Sequence, residues 1–289
     1  MNYVKEIVAK VIFTLAALIS VIAIVLICGF LFANGIPAIK KIGAGNFIFG
    51  TTWAPTNTNP SFGIFPMIIG SFLVTFGAIV IGVPVGVLTA VFMSRFCPKR
   101  IYSFLKTASD LMAGIPSVVY GFFGLVMLVP LVRMLRDNFG MDTNGCSILT
   151  ASLLLGIMIL PTIVSVSESS IRAVTNTYYE GARALGATHE RSVFRVIVPA
   201  AKSGILAGII LGVGRAIGET MAVIMVAGNQ ARMPESILSG VRTMTANIVI
   251  EMGYATGLHR EALIATGLVL FVFILIINLC FSLLKRKEA

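Results

Sequence analysis

Residues 175–204 read TNTYYEGARALGATHERSVFRVIVPAAKSG, a polar segment between two apolar runs. Thr177 and Glu180 have the spacing of a capping box, which predicts a helix over YYEGARAL. Gly186 is placed to end that helix, and a second one, THERSVFRVIV, runs to Pro199, which opens the next apolar run. One interpretation is an amphipathic connector lying on a membrane. The other is a helix–turn–helix whose small side chains let another protein approach closely: Gly181, Ala182, Ala184, Gly186 and Ala187.

The composition around this segment is that of a membrane protein. Hydrophobic residues make up 57% of the 289-residue chain, only 12% are charged, and the mean hydropathy is +0.97. Soluble domains carry about 25% charged residues. The net charge of +10 does not indicate nucleic-acid binding, because the basic residues lie between apolar runs without interleaved aromatics. The scattered cysteines predict free thiols, with no disulfide framework or metal site: Cys28, Cys97, Cys146 and Cys280.

Six apolar runs are long enough to cross about 30 Å of hydrocarbon, which requires about 20 residues. A signal peptide is the alternative for the first run, but its apolar core exceeds the roughly 15 residues of such signals. The fold class is therefore an all-α polytopic membrane protein. Its predicted spans are residues 11–33, 64–92, 111–132, 146–166, 201–228 and 262–284.

The basic residues predict the orientation. With a cytoplasmic N-terminus, the inside segments hold 14 Lys and Arg and the outside segments hold 7, so both termini are expected in the cytoplasm. Residues 34–63 then form an external loop with a short interfacial helix, and Trp53 is expected at the membrane surface. Asp110 and Glu168 fall at cytoplasmic ends of spans, where solvated carboxylates are favoured over a gate or a subunit contact.

The fifth span carries two charges near its centre. Each costs about 2.5–3.5 kcal/mol on the insertion scale, while an apolar residue returns about 0.3–0.6, so this helix cannot face lipid on all sides. Arg215 and Glu219 are four apart and would share one helical face. A structural salt bridge is one interpretation. The other is a site where Arg215 binds a tetrahedral oxyanion, Glu219 holds the arginine or accepts a proton, and Thr220 is a neutral donor.

Small residues and prolines also recur within the spans. Three glycine pairs are spaced four apart, which allows close helix packing in lipid. Pro84 and Pro116 interrupt the second and third spans, and such kinks are tolerated where neighbouring helices bond the freed backbone groups. The glycine pairs are Gly82 with Gly86, Gly208 with Gly212, and Gly214 with Gly218.

The segment at 175–204 resembles the cytoplasmic EAA loop of ABC-importer permeases. Glu180, Gly181 and Ala182 stand in the first three places, Gly186 follows at the required spacing, and Pro199 closes the pattern. The resemblance implies a type I, MetI-like permease fold. It also implies that this helix inserts into a cleft of the ATP-binding subunit and transmits its closure. The coupling residues carried over are Tyr179, Glu180, Gly181, Ala182, Leu185, Gly186 and Ala187.

Two further stretches resemble one subfamily, the PstC-type permeases of phosphate-specific importers. They are GRAIGETMAVIMVAGN at 214–229 and MAGIPSVVYGFFG at 112–124. The PstA-type companion has a similar run but differs after the threonine. The resemblance implies phosphate transport across the cytoplasmic membrane with a PstA-type permease, two ATP-binding subunits and a periplasmic or lipid-anchored phosphate-binding protein. It also implies a permease core at 64–289 after an N-terminal helix and loop at 1–63.

Several alternatives remain at this point. Sulfate or molybdate would suit an arginine as well as phosphate does. An ion-coupled secondary transporter would also bury an Arg–Glu pair, but it has no use for an ATPase-docking loop. No HExxH, GxSxG or GxxxxGK[ST] motif occurs, so the chain is not expected to be an enzyme or to hold a cofactor. ATP is expected to be used by the partner subunit.

Overall fold

The computed structural model describes residues 2–139 and 143–287, and the side chains of residues 6–135, 143–280 and 283. The first half comprises α1 (Asn2–Ile42), α2 (Ala44–Phe49), β1 (Trp53–Ala54), β2 (Ser61–Phe62), α3 (Phe65–Val91), α4 (Lys99–Gly114), α5 (Ser117–Phe123) and α6 (Val129–Phe139). The second half comprises α7 (Ile148–Ala173), α8 (Asn176–Ala184), α9 (His189–Ser192), α10 (Val198–Ala200), α11 (Lys202–Gly218), α12 (Met221–Val226), α13 (Met244–Glu251) and α14 (Gly257–Lys287). π-Helical turns lie at Phe92–Phe96, Gly124–Leu128 and Val193–Ile197.

Within the described residues, five helical segments are by themselves long and apolar enough to cross a membrane. A sixth candidate is a bent pair, His189–Ala200 and Lys202–Gly218, whose axes meet at 68°. Its second part, α11, lies within the fifth predicted span. The fold class of a helical polytopic membrane protein is therefore confirmed, with five spans, or six if the bent pair forms one. The five single segments are Glu6–Ile42, Phe65–Phe96, Ser117–Leu135, Ile148–Ala173 and Gly257–Cys280.

Two span boundaries differ from the prediction, because residues outside the apolar runs also determine where a helix begins or ends. α1 continues past Ala33 to Ile42, because Lys40 and Lys41 favour the negative end of its dipole. The third span starts at Ser117, since the backbone of Ile115 is extended before Pro116. Among the basic residues used for the orientation, the following have side chains outside the described residues: Lys5, Arg136, Lys285, Arg286 and Lys287.

The predicted place of Trp53 at the membrane surface is wrong. Trp53 pairs with Phe62 in the hairpin β1–β2 and is only 8% exposed. Its indole N–H donates to Glu251 Oε2 at 2.9 Å, and His259 Nε2 lies 2.8 Å from the same oxygen. Arg242 Nη1 is 2.6 Å from Glu251 Oε1. The indole N–H thus donates a hydrogen bond to a buried carboxylate, which explains why the Trp53 ring is buried. The short helix predicted in this loop is confirmed by α2.

α7 is the central helix, with α3 and α11 packed against it. Two of the three glycine pairs make the predicted close contacts. Gly82 and Gly86 of α3 face Ile159 and Ile163 of α7, and the second pair, in α11, faces the same helix at Ile163, Val166 and Ser167. The third pair differs, because no atom of the chain lies within 4 Å of a Cβ built at Gly214 or Gly218.

Gly82→Leu is expected to lower the thermal unfolding temperature in detergent. A Cβ atom there would lie 2.7 Å from Ile159 Cδ1 and 2.9 Å from the Gly156 carbonyl oxygen. Overpacking of this kind costs about 1–3 kcal/mol of unfolding free energy. The matched control is Gly29→Leu on α1, where nothing lies within 4 Å. Equal melting temperatures for the two variants would contradict the packing.

Candidate functional site

The fifth predicted span is broken at its charged centre. α11 ends at Gly218, and Glu219 takes an extended conformation with φ −69° and ψ 133° before α12 begins at Met221. Arg215 and Glu219 therefore do not share one helical face, and that prediction is wrong. The break occurs because side chains replace the helical bonds. Glu219 Oε1 accepts from the N–H groups of Thr220 at 3.1 Å and Ala222 at 3.2 Å, as freed backbone groups in a membrane require.

Arg215 lies in the last turn of α11, where the helix dipole favours a cation. Its guanidinium donates from Nη1 to Thr162 Oγ1 of α7 at 3.4 Å. In the part of the chain that the structure describes, no carboxylate oxygen lies within 4.0 Å of this guanidinium. The predicted hold of Glu219 on Arg215 is therefore wrong. Because a neutral hydroxyl holds the arginine, its positive charge is left uncompensated by an ion pair.

Thr220 and Thr245 close the backbone around the break. The Thr220 hydroxyl donates to the Gly218 carbonyl at 3.3 Å, and Thr245 Oγ1 of α13 donates to the Glu219 carbonyl at 3.2 Å. Arg215, Glu219 and Thr220 are all partly exposed, and Gly218 is exposed. The break is thus a partly exposed point in the bundle where the Arg215 guanidinium makes one hydrogen bond among the described residues and keeps further N–H donors unused. Such a group suits a tetrahedral oxyanion.

The segment at 175–204 forms the predicted helix–turn–helix, but its start differs. α8 begins at Asn176, so Thr177 already lies inside the helix and makes no side-chain cap; the predicted capping box is wrong. The predicted end at Gly186 is confirmed. Gly186 has φ +84°, its N–H bonds to Arg183 O at 3.0 Å, and Ala187 N–H bonds to Ala182 O at 3.1 Å. This pattern is a Schellman motif, which needs a left-handed residue that glycine supplies without strain.

The residues predicted to couple to the ATPase lie together on this helical hairpin. Leu185 is 91% exposed, and no atom lies within 4 Å of a Cβ built at Gly181 or Gly186. Tyr179 fixes the two helices against each other, because its hydroxyl lies 2.9 Å from His189 Nδ1. Glu180 is exposed, while Ala182 and Ala187 are half-buried. The tip therefore presents one large apolar side chain on a surface with room for the backbone of another protein.

The burial of Glu168 differs most from the prediction. It is 3% exposed, so the predicted solvated carboxylate is wrong. Tyr102 Oη donates to it at 3.1 Å, Arg172 bonds to it from the same helix, and Lys106 Nζ lies 4.0 Å away. Asp110 agrees with the prediction, since its side chain is 60% exposed. The spacing of Glu168 and Arg172 is a sequence signal for pairing, but nothing in the sequence joins Glu168 to residues of α4.

The family described as the binding-protein-dependent transport system inner membrane component matches residues 82–288. The chain belongs to this family. Membership of this family agrees with the apolar spans and with the helix–turn–helix that lies between two of them. It also confirms the inner membrane location and the resemblance to ABC-importer permeases drawn from the 175–204 segment.

Relatives cover most of this inner membrane component. The probable ABC transporter permease protein YqgH of Bacillus subtilis (strain 168) is 37% identical over 290 residues, covering 98% of this chain and 92% of the relative. The phosphate transport system permease protein PstC of Mesorhizobium japonicum is 34% identical over 276 residues, covering 90% and 84%. A crystallised bacterial alginate ABC transporter has a chain of the same fold, with a TM-score of 0.66 and 17% identity, covering 98% and 96%.

Proposed function

We propose that this chain is the PstC-type permease subunit of an ATP-driven importer of inorganic phosphate. It has both termini in the cytoplasm and a permease core at 64–289 that follows an N-terminal helix and loop at 1–63. The similarity to phosphate permeases supports the substrate. The observation that carries the proposal is the guanidinium of Arg215 at the broken helix, which among the described residues has a hydrogen bond to Thr162 and no carboxylate within ion-pair distance.

Arg215 and Glu219 have different roles at the break. Phosphate binds to the N–H donors of Arg215, which form a rigid fork matched to an oxyanion. Glu219 occupies the N–H groups at the start of α12, so this helix end does not hold a second anion. Its negative charge nearby limits how tightly the anion binds, which allows release. Thr220 bonds to the helix end and donates to the anion only after exchanging that bond.

Transport also requires partners that this chain engages on both sides. A PstA-type permease completes the translocation path, and the open surface at Gly214 and Gly218 suits close helix packing with it. One of two ATP-binding subunits binds the coupling residues of this chain, and the two together supply all ATP hydrolysis, while this chain holds neither ATP nor another cofactor. A phosphate-binding protein, periplasmic or lipid-anchored, delivers the anion from outside. The family membership argues against an ion-coupled secondary transporter.

The decisive experiment reconstitutes the chain in proteoliposomes with its partner permease, ATPase and binding protein. ATP-driven uptake of labelled phosphate is compared with uptake of labelled sulfate and molybdate. We expect phosphate to accumulate and to be displaced only weakly by the other oxyanions. Preferential uptake of sulfate or molybdate would show that the substrate is another oxyanion. The chain would still be the permease of an ATP-driven importer. Uptake without ATP hydrolysis would overturn the importer itself.

Leu185→Ser is expected to weaken binding of the ATPase subunit. Burying a leucine side chain contributes about 1.5–3 kcal/mol, so its loss should weaken association by roughly tenfold to a hundredfold. Association is measured by light scattering or by co-purification at graded ATPase concentrations. The matched control is Ile237→Ser, which removes a 63% exposed side chain from the loop between α12 and α13. An equal loss in both variants, or in neither, would contradict docking at Leu185.

A further inference from the structure

The helix α4 meets the bundle through half-buried apolar residues and through polar contacts. None of its residues is buried, and α7 is the helix it packs against most. Apolar packing between them is incomplete, because a cavity of about 160 Å³ lies among Leu105 and Met112 of α4 and Leu160 of α7. The bonds from α4 to Glu168 therefore have a large share in holding it.

These bonds form what we call the Glu168 cluster: Tyr102, Lys106, Glu168 and Arg172. Glu168 accepts from Tyr102 and Arg172, and the Arg172 guanidinium lies 4.2 Å from the Tyr102 ring centroid. Lys106 reaches Ser165 of α7 at 3.4 Å and the exposed Asp110 at 3.6 Å. Because Glu168 is buried, losing any donor leaves a carboxylate under-satisfied in low dielectric. The cluster is therefore a stiff connection between α4 and α7.

One end of this connection reaches α8, the helix that carries most of the predicted coupling residues. We call α8 the coupling helix. Arg95, in the π-helical turn after α3, donates to the carbonyls of Ile171 at 3.0 Å and Val174 at 3.4 Å. It also donates to Oδ1 of Asn176, the first residue of α8, at 3.4 Å. Arg172 donates to the Met93 carbonyl at 3.2 Å. The end of α7, the start of α8 and this turn are thus bonded into one unit next to Glu168.

The other end reaches the broken helix. Tyr120 of α5 donates to the Met112 carbonyl of α4 at 2.9 Å, which bridges the extended Ile115–Pro116 link. α5 packs on α12, where a Cβ at Gly121 would lie 3.0 Å from Ala222 Cα. Ala222 donates its N–H to Glu219. These contacts connect α4 through α5 to the helix that Glu219 caps.

We propose that Glu168 is a positioning residue that couples α4 to α7, so that movement of the coupling helix reaches the Arg215–Glu219 break. The inference rests on the proposed function in so far as an ATPase moves α8. It assigns to α4 the role of a lever between the cytoplasmic hairpin and the anion contact. The contacts on either side of it, Arg95 with Asn176 and Tyr120 with Met112, are where movement would enter and leave.

The test uses the reconstituted complex and compares phosphate taken up per ATP hydrolysed. The variants are Glu168→Gln, Tyr102→Phe and Lys106→Met, with Asp110→Asn as the matched control because Asp110 bonds to the same lysine but is exposed. We expect Glu168→Gln to lower uptake per ATP about tenfold and the other two to lower it severalfold in complexes that still assemble. The melting temperature should also fall, because each change leaves a buried group under-satisfied. The control should match the wild type.

A second readout does not depend on phosphate. Spin labels at Phe104→Cys on α4 and Val249→Cys on α13, both exposed positions, report the distance between the helices after the native cysteines are replaced. We expect the distance to change when ATP and vanadate trap the wild-type complex, and the change to disappear in the cluster variants. A complex that shows this movement but carries no phosphate would contradict the proposed substrate and still support the lever.

The proposal is overturned if Tyr102→Phe and Lys106→Met both retain wild-type uptake per ATP and wild-type label movement. These two variants leave the Glu168–Arg172 bond in place, so they decide the matter even if Glu168→Gln fails to assemble. A fall in melting temperature with no change in uptake per ATP would also overturn it, because the cluster would then be structural alone.

Discussion

Arg215→Gln is expected to abolish ATP-driven phosphate uptake while the complex still assembles. Arg215 is the charge at the helix break that has no carboxylate within ion-pair distance among the described residues. Glutamine keeps a donor but loses both the charge and the fork. A hydrogen bond to a charged group contributes about 1.5–3 kcal/mol, so losing two should reduce uptake by a factor of about a hundred or more.

The assay is uptake of labelled phosphate into proteoliposomes, with complex assembly checked by size-exclusion chromatography. Arg215→Lys, which retains the charge without the fork, should keep a small part of the activity. Thr162→Val removes only the hydroxyl that holds the guanidinium and should cost much less. Arg191→Gln on the exposed α9 is the matched control. Wild-type uptake in Arg215→Gln would rule out Arg215 as the anion contact.

Glu251→Gln is expected to be the most destabilising single change on the outer side. Glu251 is 6% exposed and is bonded to Trp53, Arg242 and His259, which come from three different segments. Removing one partner from a buried ion pair typically costs about 3–5 kcal/mol, because the remaining charge stays buried without compensation. The thermal unfolding temperature in detergent or nanodiscs measures the loss.

Glu261→Gln is the matched control for this variant. Glu261 also forms an ion pair, with Lys41 at 2.7 Å, but the two side chains are 38% and 57% exposed. Exposed pairs contribute about 0–1 kcal/mol, so this variant should melt close to the wild type. If Glu251→Gln melts no lower than Glu261→Gln, the outer network does not contribute to stability as its geometry indicates.

The spans could be predicted from the sequence because crossing a bilayer requires long apolar runs, which are read directly from the residues. The break in the fifth span could not. A hydropathy sum counts Glu219 as a cost and does not register that its carboxylate bonds to the N–H groups of Thr220 and Ala222. The hydropathy sum indicated that this helix cannot face lipid on all sides. In the structure the helix is divided at Glu219, between α11 and α12.

Contacts between distant segments account for the other differences. Trp53 and Glu251 are separated by 198 residues, and Tyr102 and Glu168 by 66, so no local spacing predicts either pair. The helix end at Gly186 was predicted correctly because a Schellman motif depends on a few consecutive residues. This helix end was therefore predictable, although the equally local capping box at Thr177 does not form, while the partners of buried charges depend on which helices become neighbours.

The bond between Trp53 and Glu251 also has a consequence for biosynthesis. The ribosome makes the hairpin early, yet its indole finds its acceptor only after residue 251 has been made, and Lys41 likewise waits for Glu261. Chains are synthesised from the N-terminus at about 5–20 residues per second, so the external surface stays incomplete for roughly 10 to 40 seconds. During that interval Trp53 and Lys41 lack their partners, so the hairpin and the end of α1 reach their final contacts only after α13 and α14 have been made.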